Sequence, residues 1–498
     1  MTEAHQTTTV QNVTKNSVYL MIANISNKLI LFVLFILMMR YLGDMFYGKY
    51  SFAVTFVGLF AVLIDLGMGS LIIREVTKDK ESLSKYFFNV LTIKAALSLI
   101  AYALIVAAIN LAGYPQDTRL AVYILGVYIV FSTTMVSFIN PIFRAFEHME
   151  YEAFTSITQN VLTVILGALV MYFNMGFIAL MMAFMIGSLA GFVLGTSIIF
   201  IRYKVKMTGF DPGFYRVFLK SLSPFALGAI MVPIYASVDK VLLSMMRGDA
   251  AVGVYAGVRT LVSVLLMISG TFNGATFPVM TKSYVTNMAR FKVLYEKSFK
   301  YLFMVSLPIA VGTTILANNI AMLVLGDQFT GATVILQVVV WILIFSFLNN
   351  MTGNVFTAMN KQIIGSLIAG ALVIVNVSMN LLLIPSLGGT GTAIAAVATE
   401  AVGFAFSYYY ISRHLYRIPL AGVIAKPCVA SAVMGACVFA LNLAGVNLIL
   451  NICAGIVIYA LAILLIKGLA NDDIALISQM IGKDRLKKIP FMAALSRH

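Results

Sequence analysis

Seven ionisable residues stand inside long apolar stretches of this sequence: Lys28, Asp65, Lys94, Asp239, Lys240, Arg259 and Glu400. A charge at the centre of an apolar helix costs on the order of 2.5–3.5 kcal/mol on insertion scales, so it faces a wet cavity or a partner. Lys28 shares a helix face with Asn24 and Asn27, at spacing i, i+3, i+4. Two amides and an ammonium on one face can line a cavity and hold an anion; the alternative is a pair with a neighbouring acid. Arg259 lies about nine residues into its stretch, too deep for easy snorkelling, and a guanidinium grips phosphate oxygens bidentately. Asp65 completes a small-polar stripe with Ser51, Thr55, Gly58 and Gly69. It reads as a proton or sodium site or as a salt-bridge partner of Lys28. Glu400 is either a coupling-ion site or a buried neutral acid. Asp239 and Lys240 read as an interfacial pair whose lysine snorkels, with ion coupling as the acid's other role. Lys94 reads as structural, its ammonium reaching the inner headgroups. The surplus of cations favours an anionic substrate.

The elements that carry these residues follow from composition. The chain has 498 residues, 61% hydrophobic and only 11% charged, with a mean hydropathy of +0.97. Soluble domains run at about 45–50% apolar and about 25% charged, so a bilayer must act as the solvent here. A helical span needs about 20 mainly apolar residues. Fourteen stretches qualify: 16–39, 46–73, 86–112, 119–143, 153–173, 176–201, 217–243, 250–278, 300–325, 331–358, 362–384, 388–412, 422–443 and 446–467. Each is too long for a barrel strand and lacks strict alternation. The predicted fold class is an all-α integral membrane protein of about 14 transmembrane helices.

Charge placement sets the orientation. With the N-terminus inside, the inner loops and both tails hold 26 of the 34 Lys and Arg, and the outer side holds four: Arg40, Lys49, Arg119 and Arg247. That bias obeys the positive-inside rule and places both termini in the cytoplasm. The net charge of +15 therefore reflects topology, and no nucleic acid is expected. Residues 1–16 lack the pattern of a cleaved signal. The tail from Asn471 alternates Ile474, Ile477, Ile481, Leu486 and Ile489 with Lys483, Arg485, Lys487 and Lys488. It reads as a basic amphipathic helix on anionic lipid or as a disordered basic tail.

Several motifs are set aside. Gly43-x4-Gly48-Lys49 approaches a phosphate-cradling loop, but Tyr50 takes the required Ser/Thr position. Glu147, His148, Glu150 and Glu152 lack metal spacing and read as a solvated inner loop. Cys428, Cys437 and Cys453 form neither a disulfide framework nor a zinc set. No nucleophile–His–acid set appears, so catalytic residues, metal sites and cofactors are all predicted absent. The glycines of Gly187-x3-Gly191-x3-Gly195 and Gly253-x3-Gly257 let helices approach closely.

One internal repeat organises the chain. Gly43-Asp44-x3-Gly48-x-Tyr50 matches Gly248-Asp249-x3-Gly253-x-Tyr255, and both fall on outer turns, between spans 1–2 and 7–8. Six spans separate the copies, so the halves face the same way. Parallel repeats of this kind frame a midplane substrate site in many transporters. The expected organisation is an N-lobe at 1–205, a C-lobe at 206–418, appended spans at 419–468 and the tail at 469–498.

With these segments placed, the chain resembles the polysaccharide-transporter flippases of the multidrug/oligosaccharidyl-lipid/polysaccharide exporter superfamily. The matching text is Arg40-Tyr-Leu-Gly43, Tyr47-Gly-Lys-Tyr-Ser51, Asp65-Leu-Gly67 leading to Arg74-Glu75, Phe143-Arg-Ala145, Asp239 and Gly248-Asp-Ala-Ala-Val-Gly253-Val-Tyr255. The resemblance implies two six-helix lobes around a cationic cavity. It also implies alternating-access flipping of a polyprenyl-diphosphate-linked oligosaccharide. Relatives carry basic residues on the first, second and eighth spans. Lys28 and Arg259 fit that pattern, Arg74 fits it loosely at the inner rim, and a basic residue midway along span 2 is absent. The binding set is thus Lys28, Arg259, Asn24, Asn27 and Arg74, with Asp65, Asp239 and Glu400 as coupling candidates. Expected partners are the lipid-linked oligosaccharide, Na+ or H+, membrane lipids and polysaccharide-assembly proteins, in the plasma membrane of a prokaryote. The alternatives are a cation-coupled multidrug antiporter of the same superfamily and a membrane glycosyltransferase or polymerase.

Overall fold

Backbone amides cannot be left bare in lipid, so a chain this apolar must satisfy them within helices. A computed structural model of the protein describes residues 2–206, 211, 213–215, 218 and 237–468, with side chains from residue 27 onward. Described residues form helices and no strands. Twelve helical segments are long and apolar enough to cross a membrane. The first, Asn27–Lys78, carries both expected spans 1 and 2. Most of expected span 7, and the tail from residue 469, lie outside the described residues. The protein is a multi-pass all-α membrane protein.

In chain order the helices are α1 (Thr2–Asp65), α2 (Met68–Lys78), α3 (Leu83–Leu111), α4 (Gln116–Thr134), α5 (Asn140–Ala145), α6 (Met149–Tyr172), α7 (Phe177–Tyr203) and α8 (Asp249–Thr286). There follow α9 (Met288–Val324), α10 (Ala332–Val339), α11 (Ile342–Ala358), α12 (Gln362–Leu387), α13 (Gly389–His414), α14 (Leu420–Leu443) and α15 (Leu448–Leu465). Contacts divide the chain into two compact units. One comprises Met1–Leu265, Ala321–Ile335 and Gln362–Gly403; the other comprises Leu266–Ile320, Leu336–Lys361 and Phe404–His498.

In the first unit the repeat copies pack on each other. Gly43 sits at φ 69° and breaks α1 between its two spans, and Gly248 has φ 80° just before α8. Both are left-handed values that a side chain resists. Beyond these breaks, a Cβ on Gly48 would strike the Asp249 carbonyl, and one on Gly253 would strike the Asp44 carbonyl. This reciprocity is what a two-fold relation between copies demands, and it brings the two backbones as close as small residues permit. Arginines tie helix ends to the same turns: Arg40 donates to the carbonyls of Leu323 and Val324, and Arg247 to those of Ile384 and Pro385. In the α7 glycine stripe, Gly187 and Gly191 pack on α6 at Gln159 and Thr163, and Gly195 faces Met135 and Ile139.

Span 2 departs from the continuous helix expected over 46–73. α1 stops at Asp65, Leu66 and Gly67 take φ 45° and 76°, and α2 restarts at Met68. Span 4 is also irregular, with one π-helical turn at Met135–Ile139 between α4 and α5. An apolar core containing Leu71, Ile72, Phe87, Phe138, Ile142 and Ile199 surrounds both irregularities.

The second unit is joined by amide and hydroxyl contacts between helices. Asn350 donates to Ser269 Oγ at 3.4 Å, and Asn354 to Asn273 Oδ1 at 3.3 Å. Tyr459 donates to the Met304 carbonyl at 2.6 Å. Such polar groups act as interhelical glue where lipid gives no hydrophobic drive to associate.

Candidate functional site

The structure gathers three of the sequence-selected charges around the second repeat copy. Asp239 is buried, at 5% exposure. Its Oδ2 accepts from the Tyr255 hydroxyl at 2.7 Å and its Oδ1 from the Lys240 backbone N–H at 2.8 Å. Lys240 lies within the electrostatic reach of both Asp239 and Arg259. Lys240 and the Arg259 residue are half-buried. The interfacial snorkelling pair expected for Asp239 and Lys240 is therefore corrected: Asp239 is enclosed, and Lys240 shares its surroundings with a second cation. Tyr255 belongs to the repeat motif itself, so packing of the repeat also positions the acid.

Asp65 ends the broken helix, and the cation beside it is Lys94. Among the described residues no ion pair joins it to Lys28. Lys94 is 1% exposed, which overturns the reading that it reaches the headgroups. Its Nζ donates to the Ile64 carbonyl at 3.0 Å and to Ser137 Oγ at 2.7 Å. The first is a carbonyl next to the α1–α2 break; the second sits on the π turn. Irregular backbone at membrane depth persists only where its groups are satisfied in this way.

The remaining expected residues are separate. Lys28 is exposed on α1, and the Asn24 side chain lies outside the described residues. Arg74 donates to Glu75 at 2.7 Å, and Lys78 pairs with the same carboxylate, so Arg74 sits in a rim network on α2. Glu400 is half-buried on α13. Asn27 lines a polar cavity of about 260 Å³ with residues from α4 to α6. There, Arg144 grips Glu152 bidentately, Nε to Oε2 at 2.8 Å and Nη2 to Oε1 at 2.6 Å. Glu152 is only 7% exposed, which corrects its placement in a solvated loop.

Two polar sets escaped the sequence reading. One is this cavity. The other is a seam between α12 and α13, where Asn380 donates to Asn376 Oδ1 at 3.0 Å and Asn376 to Thr399 Oγ1 at 3.4 Å, all of them buried. Neutral amides carry no charge to flag them inside an apolar run. Only the i, i+4 spacing of Asn376 and Asn380 was available as a signal. Among the described residues no three His, Cys, Asp or Glu side chains gather to hold a metal ion.

Twelve span-length apolar helices among the described residues, broken membrane helices and partnered intramembrane charges define a polytopic membrane protein. Residues 13–284, more than half of the chain, match the family described as polysaccharide biosynthesis protein. The chain belongs to that family. Residues 224–382 also match the MatE family. A relative in Haloferax volcanii, the probable low-salt glycan biosynthesis flippase Agl15, is 22% identical over 451 residues, covering 89% of this chain and 93% of its own. Among solved structures, the lipid II flippase MurJ in an inward closed conformation has the same fold. Its TM-score is 0.73 at 18% identity, over 89% of this chain and 97% of that one. An inward-facing multidrug resistance MATE family transporter of the MOP superfamily matches with TM-score 0.63 at 18% identity, over 77% of this chain and 94% of that one.

Proposed function

We propose that this protein flips a polyprenyl-diphosphate-linked oligosaccharide from the inner to the outer leaflet for cell-surface glycan synthesis. The carrying observation is the balance of charge inside the membrane. Lys240 and Arg259, two cations within electrostatic reach of each other, stand at membrane depth with the buried carboxylate of Asp239, whose oxygens already accept from Tyr255 and from backbone. A pair of cations held this close at membrane depth suits a diphosphate. The glycan-flippase relative spans nearly the whole chain and supports the same substrate class.

In this mechanism Lys28 and Arg259 hold the diphosphate, with Asn24, Asn27 and the rim residue Arg74 beside its path. The prenyl tail stays in lipid. The repeat-related lobes, 1–205 and 206–418, rock to expose the glycan on the other side. Asp65, Asp239 and Glu400 are the candidates for coupling to Na+ or H+. The bias of Lys and Arg supports cytoplasmic termini, and the reading places the chain in the plasma membrane of a prokaryote. The chain works as a transporter and not as an enzyme, handing its cargo to polysaccharide-assembly proteins.

The second reading, a cation-coupled drug antiporter, draws on the MatE match and the MATE-like fold. Reconstitution in liposomes separates the two. Lipid-diphosphate oligosaccharide should become accessible to an added glycan-modifying enzyme only with the protein present. Arg259→Ala should cut the rate about thirtyfold, equivalent to roughly 2 kcal/mol from a lost charge-assisted contact. Transport of cationic drugs with no movement of the lipid would replace this reading with the antiporter.

A further inference from the structure

The cavity between α1, α4, α5 and α6 has a chemistry that the charged residues do not explain. Its walls include the amides of Asn27, Asn140, Gln159 and Asn160. Its two charges, Arg144 and Glu152, neutralise each other in a bidentate pair. Asn140 is 6% exposed, and its carbonyl oxygen, like that of Asn27, has no hydrogen-bond partner. A buried acceptor left unmade costs about 1–3 kcal/mol, and native proteins rarely tolerate two in one place without a ligand or solvent role. The amides sit on three different helices, so no single helix end or small-residue stripe accounts for them.

We propose that this cavity is a sugar subsite for the proposed lipid-linked substrate, taking one neutral ring by its hydroxyls. The amide groups of Gln159 and Asn160 meet ring hydroxyls from the wall, and the oxygens of Asn140 and Asn27, closed off and without a partner in this state, accept once their side chains turn toward the ring. A diphosphate is disfavoured, because the guanidinium of Arg144 is already engaged and a phosphate would approach Glu152. A cationic drug finds no unpaired acid there. The cavity, at about 260 Å³, is just below the 300–1,000 Å³ of drug-sized sites and suits one ring rather than a whole oligosaccharide. Asn27 and Lys28 adjoin on α1, so one helical turn presents both an amide to the sugar and an ammonium to the diphosphate. The ring is therefore the one nearest the diphosphate.

This inference rests on the flippase reading for its substrate, but its test is separate. Full-length protein in nanodiscs is titrated with a short polyprenyl diphosphate carrying one N-acetylhexosamine, and with the same lipid lacking the sugar. The wild type should bind the sugar-bearing lipid about tenfold tighter. Asn140→Leu should bring that ratio close to one. Gln159→Leu, on another helix, should do the same and guards against a local folding defect at Asn140. Equal binding of the two lipids by wild type, or a tenfold ratio kept by both variants, overturns the subsite. Preference for the sugar without movement across liposomes would keep the subsite and reject the flippase. Movement of lipid without any sugar-dependent binding would do the reverse.

Discussion

Lys94 and Arg259 are both cations at membrane depth, and their surroundings differ in kind. Lys94 is sealed at 1% exposure, and its ammonium donates to the Ile64 carbonyl and the Ser137 hydroxyl. It joins two irregularities, the α1–α2 break and the π turn of span 4. Arg259 is half-buried and within electrostatic reach of a second cation, Lys240, which also feels the carboxylate of Asp239. A buried charge held by a carbonyl and a hydroxyl at two helix irregularities holds architecture. A partly open pair of cations is suited to an anion that arrives and leaves. Depth in the membrane alone therefore does not mark a substrate site; the balance of partners does.

That distinction can be broken most forcefully at Lys94. Lys94→Ala should destabilise the protein by about 4 kcal/mol, combining a carbonyl left without its donor and a cavity. Lys94→Met, which refills the volume, should recover about half. Thermal unfolding in detergent reads both, and a Lys94→Ala protein that melts like wild type but does not transport would move Lys94 into the binding group. Around Arg259 the corresponding change is smaller. Tyr255→Phe removes the hydroxyl donated to Asp239 and should cost about 1.5–3 kcal/mol, the range for a hydrogen bond to a charged acceptor. A loss as large as that of Lys94→Ala would show the Asp239 cluster to be equally architectural.

The smallest effect is expected outside the membrane. Asp211 accepts from Lys85 at 2.7 Å and from the Phe214 N–H at 3.2 Å, and these contacts hold its carboxyl below the usual carboxylate range. A lowered native value means that the folded state binds this proton less readily than the unfolded one. Its stabilisation is fully present above the ordinary value near 4 and is lost as pH falls through the lowered native value. Asp211→Asn should flatten that part of the pH–melting curve and leave the neutral region almost unchanged.

Much of the fold could be read directly. The long apolar runs gave the helices, and the repeated Gly-Asp-x3-Gly-x-Tyr text identified two turns that do pack together, Gly48 on Asp249 and Gly253 on Asp44. The candidate site was legible only where charge made a residue conspicuous. Asp239, Lys240 and Arg259 were all picked out, and the first two were paired, but the approach of Arg259 to Lys240 was not foreseen. Lys94 was assigned to the headgroups because its distance from the span's end allowed it, and no local pattern shows that a helix will break opposite it. Asn140, Gln159 and Asn376 were missed because an amide within an apolar run looks the same whether it meets lipid, helix or ligand.

By itself the sequence determined that the chain lives in a bilayer as a many-helix protein and which residues are costly to place in lipid. Those properties follow from hydropathy and from spacing along one helix, both local quantities. Tertiary structure decided which polar groups neutralise each other: Lys94 with the Ile64 carbonyl, Arg144 with Glu152, and Tyr255 with Asp239. Hydrogen bonds and Coulomb forces act over a few ångströms between residues far apart in the chain. Only the packing of helices sets those distances, and with them the difference between a charge that builds the protein and one that meets its substrate.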